Sequence, residues 1–347
     1  MPLDNTTHIM LNILENISLE KYNSFGIRVK AKFFVEINQK EDLVELFADE
    51  RWKNFPRLIL GGGSNILFTE DYEGLIIKMN IKFVEAEVIG EQVLVKAGAG
   101  MVWNDLVKFC VENGYAGLEN LSLIPGSVGA SPIQNIGAYG VEVKDVFEAC
   151  EAFEIETRNF KIFSKTDCHF GYRESVFKQE FKNKYIVCSV TYVLSLSPNI
   201  NTSYGAISTE LQSRGISNPG IKDISDVVSS IRVSKLPDPT TIGNAGSFFK
   251  NPIVSKETAD DLVAKHPDLV NYQVDEHYVK LAAGWLIEQC GWKGKVAGNT
   301  GTWKNQALVL VNHGGATGKE IYDFSDVIIN DVYKKFGVFL EREVNVI

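Results

Sequence analysis

Apolar and polar positions recur along this chain in short blocks, with periods near 2 in some and near 3.6 in others, which predicts a mixture of strands and amphipathic helices. Residues 31–37 read as a strand. Residues 40–49 place Leu43, Leu46 and Phe47 on one side and read as a helix, leading to a second strand at Arg57–Leu60. These three segments form a βαβ unit. Two β-rich segments at 75–79 and 93–97 flank a short linker, and Trp103–Glu112 is predicted helical, with Asn113-Gly114 as its stop. Segments 146–163 and 185–196 have the β-branched and aromatic content of sheet strands, and Ser197-Pro198-Asn199 marks a boundary after them.

The pattern then changes. Residues 201–232 carry short helical patterns that read as a connecting lobe or lid. Val279, Ala282, Ala283, Leu286, Ile287 and Cys290 recur at helical spacing before Gly291, and 307–312 is an apolar strand. A last helix, marked by Ile321, Phe324, Ile328 and Val332, stops at Gly337. Residues 338–346 alternate as a closing strand, with Phe339, Glu341, Glu343 and Asn345 on one face. The layout is α+β, a ligand-binding domain followed by a smaller second domain, without internal repeats.

The most informative stretch is 125–140, Pro-Gly-Ser-Val-Gly-Ala-Ser-Pro-Ile-Gln-Asn-Ile-Gly-Ala-Tyr-Gly. Glycines at this density permit close approach and positive φ, and successive backbone N–H groups in turns form concavities for phosphate oxygens. Gln134 and Asn135 add amide edges able to bond a heterocycle. The alternative is a pair of tight turns between strands. A second cluster, Gly61-Gly-Gly-Ser-Asn65, breaks two apolar runs but lacks both the GxGxxG spacing and the Lys-Ser/Thr pair of a P-loop. Alone it reads equally well as a hairpin turn. Two such loops together point to a dinucleotide gripped from both sides.

At 347 residues and 45% hydrophobic content the chain has material for two or three domains. A net charge of −9 argues against broad nucleic-acid affinity, yet leaves room for a local cationic pocket of Arg173, Arg232, Lys235, Lys250 and Lys293. Residues 1–21 show no secretory signal, and no apolar run approaches a membrane span. Five scattered cysteines without C-x-x-C or histidine-paired spacing fit a reduced, cytoplasmic protein without structural zinc. The histidines, His8 included, form no metal or catalytic set.

Three residues could carry chemistry. Ser247, after Gly243-Asn-Ala-Gly and before two phenylalanines, is not a nucleophile elbow but can present its hydroxyl to a cavity and donate a proton beside a developing carbanion; the alternative is a turn serine. Glu343 and Glu341 read first as solvated, although a carboxylate at a strand end in a cleft can be raised in pKa and act as an acid. Arg173 suits bidentate capture of a carboxylate, or a surface ion pair with Glu174.

Six ordered motifs carry a family resemblance: Gly61-Gly-Gly-Ser-Asn65, the 125–140 run, Gly171-Tyr-Arg-Glu-Ser175, Ser234-Lys-Leu-Pro-Asp-Pro239, Gly243–Pro252 and Lys280-Leu-Ala-Ala-Gly-Trp-Leu-Ile287. With Asn23-Ser-Phe-Gly26 and Leu340-Glu-Arg-Glu-Val344 at the ends, nearly the whole chain resembles the UDP-N-acetylenolpyruvoylglucosamine reductase family, in its longer subtype with a tyrosine loop over the substrate. The resemblance implies a two-lobed FAD-binding domain of the PCMH/VAO-like type plus a smaller α+β substrate-binding domain. The expected divisions are a first lobe at 1–81 completed by 331–347, a second lobe at 82–220, and a substrate domain at 221–330.

It also implies noncovalent FAD, with NADPH as hydride donor and a nucleotide-sugar enolpyruvyl ether as substrate, in cytoplasmic peptidoglycan synthesis and hence cell wall, shape and division. Cofactor residues by correspondence are Gly61, Gly62, Gly63, Ser64, Asn65, Pro125, Gly126, Ser127, Gly129, Gln134, Asn135, Ile136 and Gly137, with Arg232 near the flavin. Substrate residues are Tyr139, Tyr204, Lys235, Asn251, Tyr272, Lys293 and Gln306. Arg173 and Glu343 would hold the substrate carboxylate, and Ser247 would deliver the proton.

A monomer without nucleic-acid or membrane partners is expected. Arg342 stands where the family usually has proline, Asn345 where a basic residue is common, and the chain stops at Ile347 without the usual tail; these departures bear on how Glu343 is set. The rival expectations are another FAD-linked sugar or hydroxy-acid oxidase and a nucleotide-sugar-binding regulator without turnover.

Overall fold

The computed structural model describes residues 11–347; His8 lies outside them. The chain forms two compact units: residues up to Ile17 with Ala31–Gly61 and Glu73–Ser225, and Ser18–Lys30 with Gly62–Tyr72 and Asp226–Ile347.

The first unit is built on two sheets. Strands β1 (Leu14–Ser18), β2 (Lys30–Ile37), β3 (Arg57–Leu60) and β5 (Tyr72–Met79) form one, in the order β1-β2-β5-β3, with β3 and β5 parallel. Helix α1 (Glu41–Ala48) connects β2 to β3, as the βαβ pattern predicts, but β5 lies between those strands. Strands β6 (Val84–Ile89), β7 (Gln92–Gly98), β10 (Phe147–Glu154), β11 (Asn159–Ser164) and β12 (Tyr185–Ser195) form an antiparallel sheet ordered β11-β10-β12-β7-β6. The predicted linker between 79 and 93 thus contains an edge strand, and 146–163 is a hairpin of two strands.

Helix α2 (Trp103–Glu112) ends at Asn113 and a left-handed Gly114 (φ +78°), the stop read from the sequence. It buries Trp103, Leu106, Val107 and Cys110 in a core shared with β7, β10 and β12. A second core joins Leu43, Leu46 and Phe47 of α1 to Leu75, Ile77 and Met79 of β5 and to Phe153 and Ile186 of the other sheet. Helix α3 (Gly205–Ser213) follows, and α4 (Ile221–Lys235) spans the division at Ser225 and Asp226. Two short strands, β8 (Gly137–Ala138) and β9 (Val141–Glu142), pair as a hairpin within the second glycine run.

The second unit contains β4 (Ile66–Leu67), an antiparallel sheet of β13 (Gly243–Ser247), β17 (Val296–Ala297), β18 (Thr300–Trp303) and β19 (Gln306–Asn312), and a three-stranded sheet of β14 (Ile253–Ser255), β15 (Asn271–Gln273) and β16 (Tyr278–Leu281). Helices α5 (Lys256–Lys265), α6 (Ala283–Gln289) and α7 (Gly318–Phe336) complete it with β20 (Asn345–Val346). Val279, expected on the helix before Gly291, belongs instead to β16, because the chain turns at Ala282 before α6 begins. Helix α7 opens with a Thr317/Glu320 capping box and closes at left-handed Gly337, as its pattern implies.

The strand expected at 338–346 has ladder pairing only at β20, with one further bridge at Arg342, although its alternation holds: Val338, Leu340 and Val344 are buried while Phe339 and Glu341 are exposed. Among the described residues no helix is long and apolar enough to cross a membrane.

Candidate active site

In the first unit the second glycine run is fixed to the turn after β7. Gly129 N donates to Ala99 O at 2.9 Å, Val128 N to Met101 O at 2.9 Å, and Trp103 N to Gly126 O at 3.0 Å. Side chains are excluded here: a Cβ on Gly129 would lie 2.6 Å from Ala99 Cβ, and one on Gly61 only 2.3 Å from Ser127 Oγ. The carboxyl end of β3 therefore runs directly against the second loop. That close approach leaves donors unused. The amides of Gly126 and Ser127 and the Ser127 hydroxyl have no acceptor among the described residues, although Ser127 is buried. Pro125 is exposed, Gln134 half-buried and Ile136 buried, so the run is lined by both backbone and apolar surface.

Strain concentrates next to these donors. Asn135 (φ +42°), Tyr139 (φ +52°) and Arg173 (φ +56°) all take left-handed backbone that non-glycine residues adopt at a cost of about 1–3 kcal/mol. Tyr139 and Gly140 (φ +81°) make the two-residue turn between β8 and β9. Buried Asn135 holds the fold together there, donating to Gly171 O at 2.9 Å and Glu142 Oε2 at 3.0 Å and accepting from Lys144 N.

The Arg173 guanidinium donates to Gly137 O at 2.6 Å and Asn135 O at 3.3 Å, and Ser175 Oγ ties the same loop to Ile133 O at 2.7 Å. Tyr204, at the start of α3, meets the Tyr139 ring edge-on at 5.2 Å. Arg173, Tyr139, Tyr204, Asn135 and Gly137 are thus one neighbourhood. Arg173 makes no ion pair with Glu174; its loop is tied to the glycine run instead.

In the second unit the first glycine loop joins the terminal segment. Gly63 (φ +65°) admits no side chain, because a Cβ would lie 2.0 Å from Tyr22 O, and its carbonyl accepts from Ser24 N at 3.0 Å. The loop is not the turn of a hairpin: β4 pairs in parallel with β20. Asn65 Nδ2 donates to Glu343 O at 3.3 Å, while the Asn345 backbone and side chain both donate to Asn65 O. Glu343 N in turn donates to Phe248 O at 2.8 Å, and Lys250 N to Glu341 O at 2.8 Å. The half-buried Glu343 therefore lies between the glycine loop and the residue after Ser247. The amides of Gly62, Gly63 and Ser64 have no acceptor among the described residues, and neither does the half-buried Ser247 hydroxyl.

Ser247 ends β13 opposite Val309, after left-handed Gly246, whose N–H is held by Asn244 Oδ1 at 3.0 Å. The departure at Arg342 has a structural account. Its guanidinium bonds Ser325 Oγ at 2.8 Å, pairs with Asp326 and covers the Tyr322 ring at 4.2 Å, pinning the segment beside Glu343 to α7.

The start of α6 gathers two more predicted residues. Asn251 Oδ1 accepts from Ala283 N at 3.0 Å, and a Cβ on Gly284 would lie 2.9 Å from Gln306 Oε1. Lys235, exposed at the end of α4, neighbours Ser234, whose carbonyl accepts from Asn305 Nδ2 at 2.9 Å, which brings it toward Gln306; Arg232 lies one turn earlier. Lys293 is not among these contacts and pairs with Glu288 at 2.9 Å. Tyr272 is exposed on β15, with Lys280 over its ring at 5.8 Å.

Sequence reasoning missed Lys78, whose ammonium donates to Gly61 O at 2.5 Å; its signal was a lysine interrupting the apolar run of β5.

Each glycine loop, taken by itself, fits the phosphates of a nucleotide: spare amides beside backbone closed to side chains by contacts below 3 Å. A family model described as an FAD binding domain matches residues 31–162. The protein is of the FAD-linked oxidoreductase class. A second model, the C-terminal domain of UDP-N-acetylenolpyruvoylglucosamine reductase, matches 238–347. Curated proteins of that name are 49% identical in Flavobacterium johnsoniae (97% of this chain, 100% of the relative) and 45% identical in Pseudomonas aeruginosa (96% and 99%). A solved structure of the Thermus caldophilus enzyme superposes with TM-score 0.67 at 23% identity, covering 97% of this chain and 99% of that one. The chain belongs to the UDP-N-acetylenolpyruvoylglucosamine reductase family.

Proposed function

We propose that this protein reduces the enolpyruvyl ether of UDP-N-acetylglucosamine to UDP-N-acetylmuramate for peptidoglycan synthesis, with NADPH as electron source. Bound FAD supplies the relay of a hydride from NADPH to the enolpyruvyl group. Gly62, Gly63, Ser64, Gly126 and Ser127 would hold it through backbone N–H groups that have no acceptor among the described residues. The observation that carries the reading is the Ser247 hydroxyl, without a hydrogen-bond partner among the described residues, next to Phe248, whose carbonyl takes the Glu343 amide.

Hydride arrival at the terminal carbon of the enol ether leaves negative charge spread into the substrate's carboxylate. Arg173 and Glu343 hold that carboxylate, and the guanidinium offsets the negative charge as the enolate forms. Ser247 then gives its proton to the neighbouring carbon and recovers one from solvent. Tyr139 and Tyr204 pack on the nucleotide sugar, while Lys235, Asn251, Tyr272, Lys293 and Gln306 serve its diphosphate and hydroxyls. Five unbridged cysteines suit a reducing, cytoplasmic setting.

The test is anaerobic. The yellow protein should bleach with NADPH and regain its visible absorption when the enolpyruvyl nucleotide sugar is added, with UDP-N-acetylmuramate as product. Colour that returns only with oxygen and a simple sugar would contradict the proposal.

A further inference from the structure

Lysine is a poor residue to place at the end of a buried strand unless its charge is used. Along β5 the side chains alternate: Leu75, Ile77 and Met79 enter the core against α1, while Lys78 faces the other way. Lys78 is opposite Leu60 across the parallel pair, so its ammonium reaches the carbonyl of Gly61 just beyond the carboxyl end of β3. Ligands of parallel sheets bind outside the carboxyl ends of the strands. The ammonium is half-buried, and burial pulls its pKa down, against the opposing field of Glu36 and with that of Lys82. Gly61 O is its only hydrogen-bond partner among the described residues, and no carboxylate lies within ion-pair distance.

Gly61 is also where the two glycine runs touch, with Ser127 Oγ in the place a Cβ would take. Next to it are the spare amides of Gly126 and Ser127. A half-buried cation on the Gly61 carbonyl and a spare hydroxyl at the place of its Cβ, on a segment whose amides at 126 and 127 are also spare, form a donor cluster suited to an anion.

We propose that Lys78 anchors the diphosphate of the dinucleotide, its ammonium aimed by the Gly61 carbonyl at a phosphate oxygen. This assignment rests on the reading that the glycine loops hold FAD. It makes Lys78 a binding residue for the cofactor rather than a tether of the loop alone, and it accounts for the exclusion of a carboxylate partner.

Apoprotein titrated with FAD, followed by quenching of flavin fluorescence, tests it. Lys78→Gln removes the charge and keeps an amide donor on a shorter side chain. It should weaken FAD about ten- to a hundredfold, as loss of a charge-assisted bond does, with the melting temperature of the apoprotein unchanged or higher. Lys78→Arg should restore affinity to within about threefold. Wild-type affinity in Lys78→Gln would overturn the proposal. So would a loss of affinity matched by a drop in apoprotein melting temperature, which is the signature of a structural tether. Failure of the wild-type apoprotein to bind FAD at all would instead remove the underlying reading of the loops.

Discussion

The guanidinium of Arg173 rests on the carbonyl of Gly137, Nη2 to O at 2.6 Å, and the glycine is what lets it in: a Cβ there would lie 3.1 Å from Nη1 and 2.8 Å from Val141 O. The residue assigned to the substrate carboxylate is thus aimed by the loop assigned to the cofactor. Arg173→Lys should lower kcat/KM about a hundredfold, because an ammonium cannot hold both the loop carbonyl and a carboxylate in a planar fork. NADPH should still bleach the flavin at the wild-type rate. Gly137→Ala should lower kcat/KM as well by displacing the guanidinium, and flavin uptake should fall with it, because this glycine belongs to the cofactor loop. Steady-state kinetics beside the anaerobic half-reaction checks both.

Gly63 combines left-handed backbone with a Tyr22 carbonyl 2.0 Å from the position of a Cβ. Gly63→Ala should cost about 2–4 kcal/mol, since neither strain nor overlap can relax without moving the strand entrance. The expected result in urea unfolding is a lower midpoint at unchanged slope, with protein that takes up less flavin.

Arg342 fastens the terminal segment to α7 through Ser325 and Asp326. Its side chain is largely covered while Asp326 is about half exposed, so the pair is partly screened. Arg342→Ala should lower stability by about 1–2 kcal/mol and raise KM, because Glu343 follows directly. Arg342→Pro, the residue that the family resemblance implies at this position, should recover more of the kinetic loss than of the stability.

Thiol reactivity reports the core. Burial pushes the thiols of Cys110 and Cys188 up to about 12, and a hydrogen bond with Cys168, reinforced by burial, raises that of Cys150. Thiolate is the reactive form, and raised values leave almost none of it at neutral pH. A colorimetric thiol titration of native protein should find one group, the partly exposed Cys290, with the remaining four appearing only on unfolding. Fast reaction of two or more would contradict the packing around β10 and β12.

Much of this fold was legible from periodicity. Helices α1, α2 and α7 each show an apolar stripe, and the latter two carry a glycine stop that is left-handed in the structure. What was missed has physical reasons. Strand β6 is exposed along nearly its whole length, so its alternation carried no burial signal; α5 buries little beyond Ala259 and Leu262. The pairing of β4 with β20 joins residues far apart in sequence, where only a three-dimensional partner distinguishes a crossing strand from a hairpin.

The site was legible in kind rather than arrangement. Glycine density announced the loops, but neither the contact of Gly61 with Ser127 nor the Lys78 ammonium follows from spacing. Arg173, Ser247 and Glu343 took their roles from resemblance, because residue patterns left each of them open between chemistry and an ordinary surface or turn position.

The account depends most on Ser247 delivering a proton after hydride transfer. The direct measurement is a pair of anaerobic half-reactions on Ser247→Ala: bleaching by NADPH, then return of colour on adding the enolpyruvyl nucleotide sugar. The first should match wild type, and the second should slow by about 10²–10⁴-fold. Recolouring at the wild-type rate, with UDP-N-acetylmuramate formed, would contradict it.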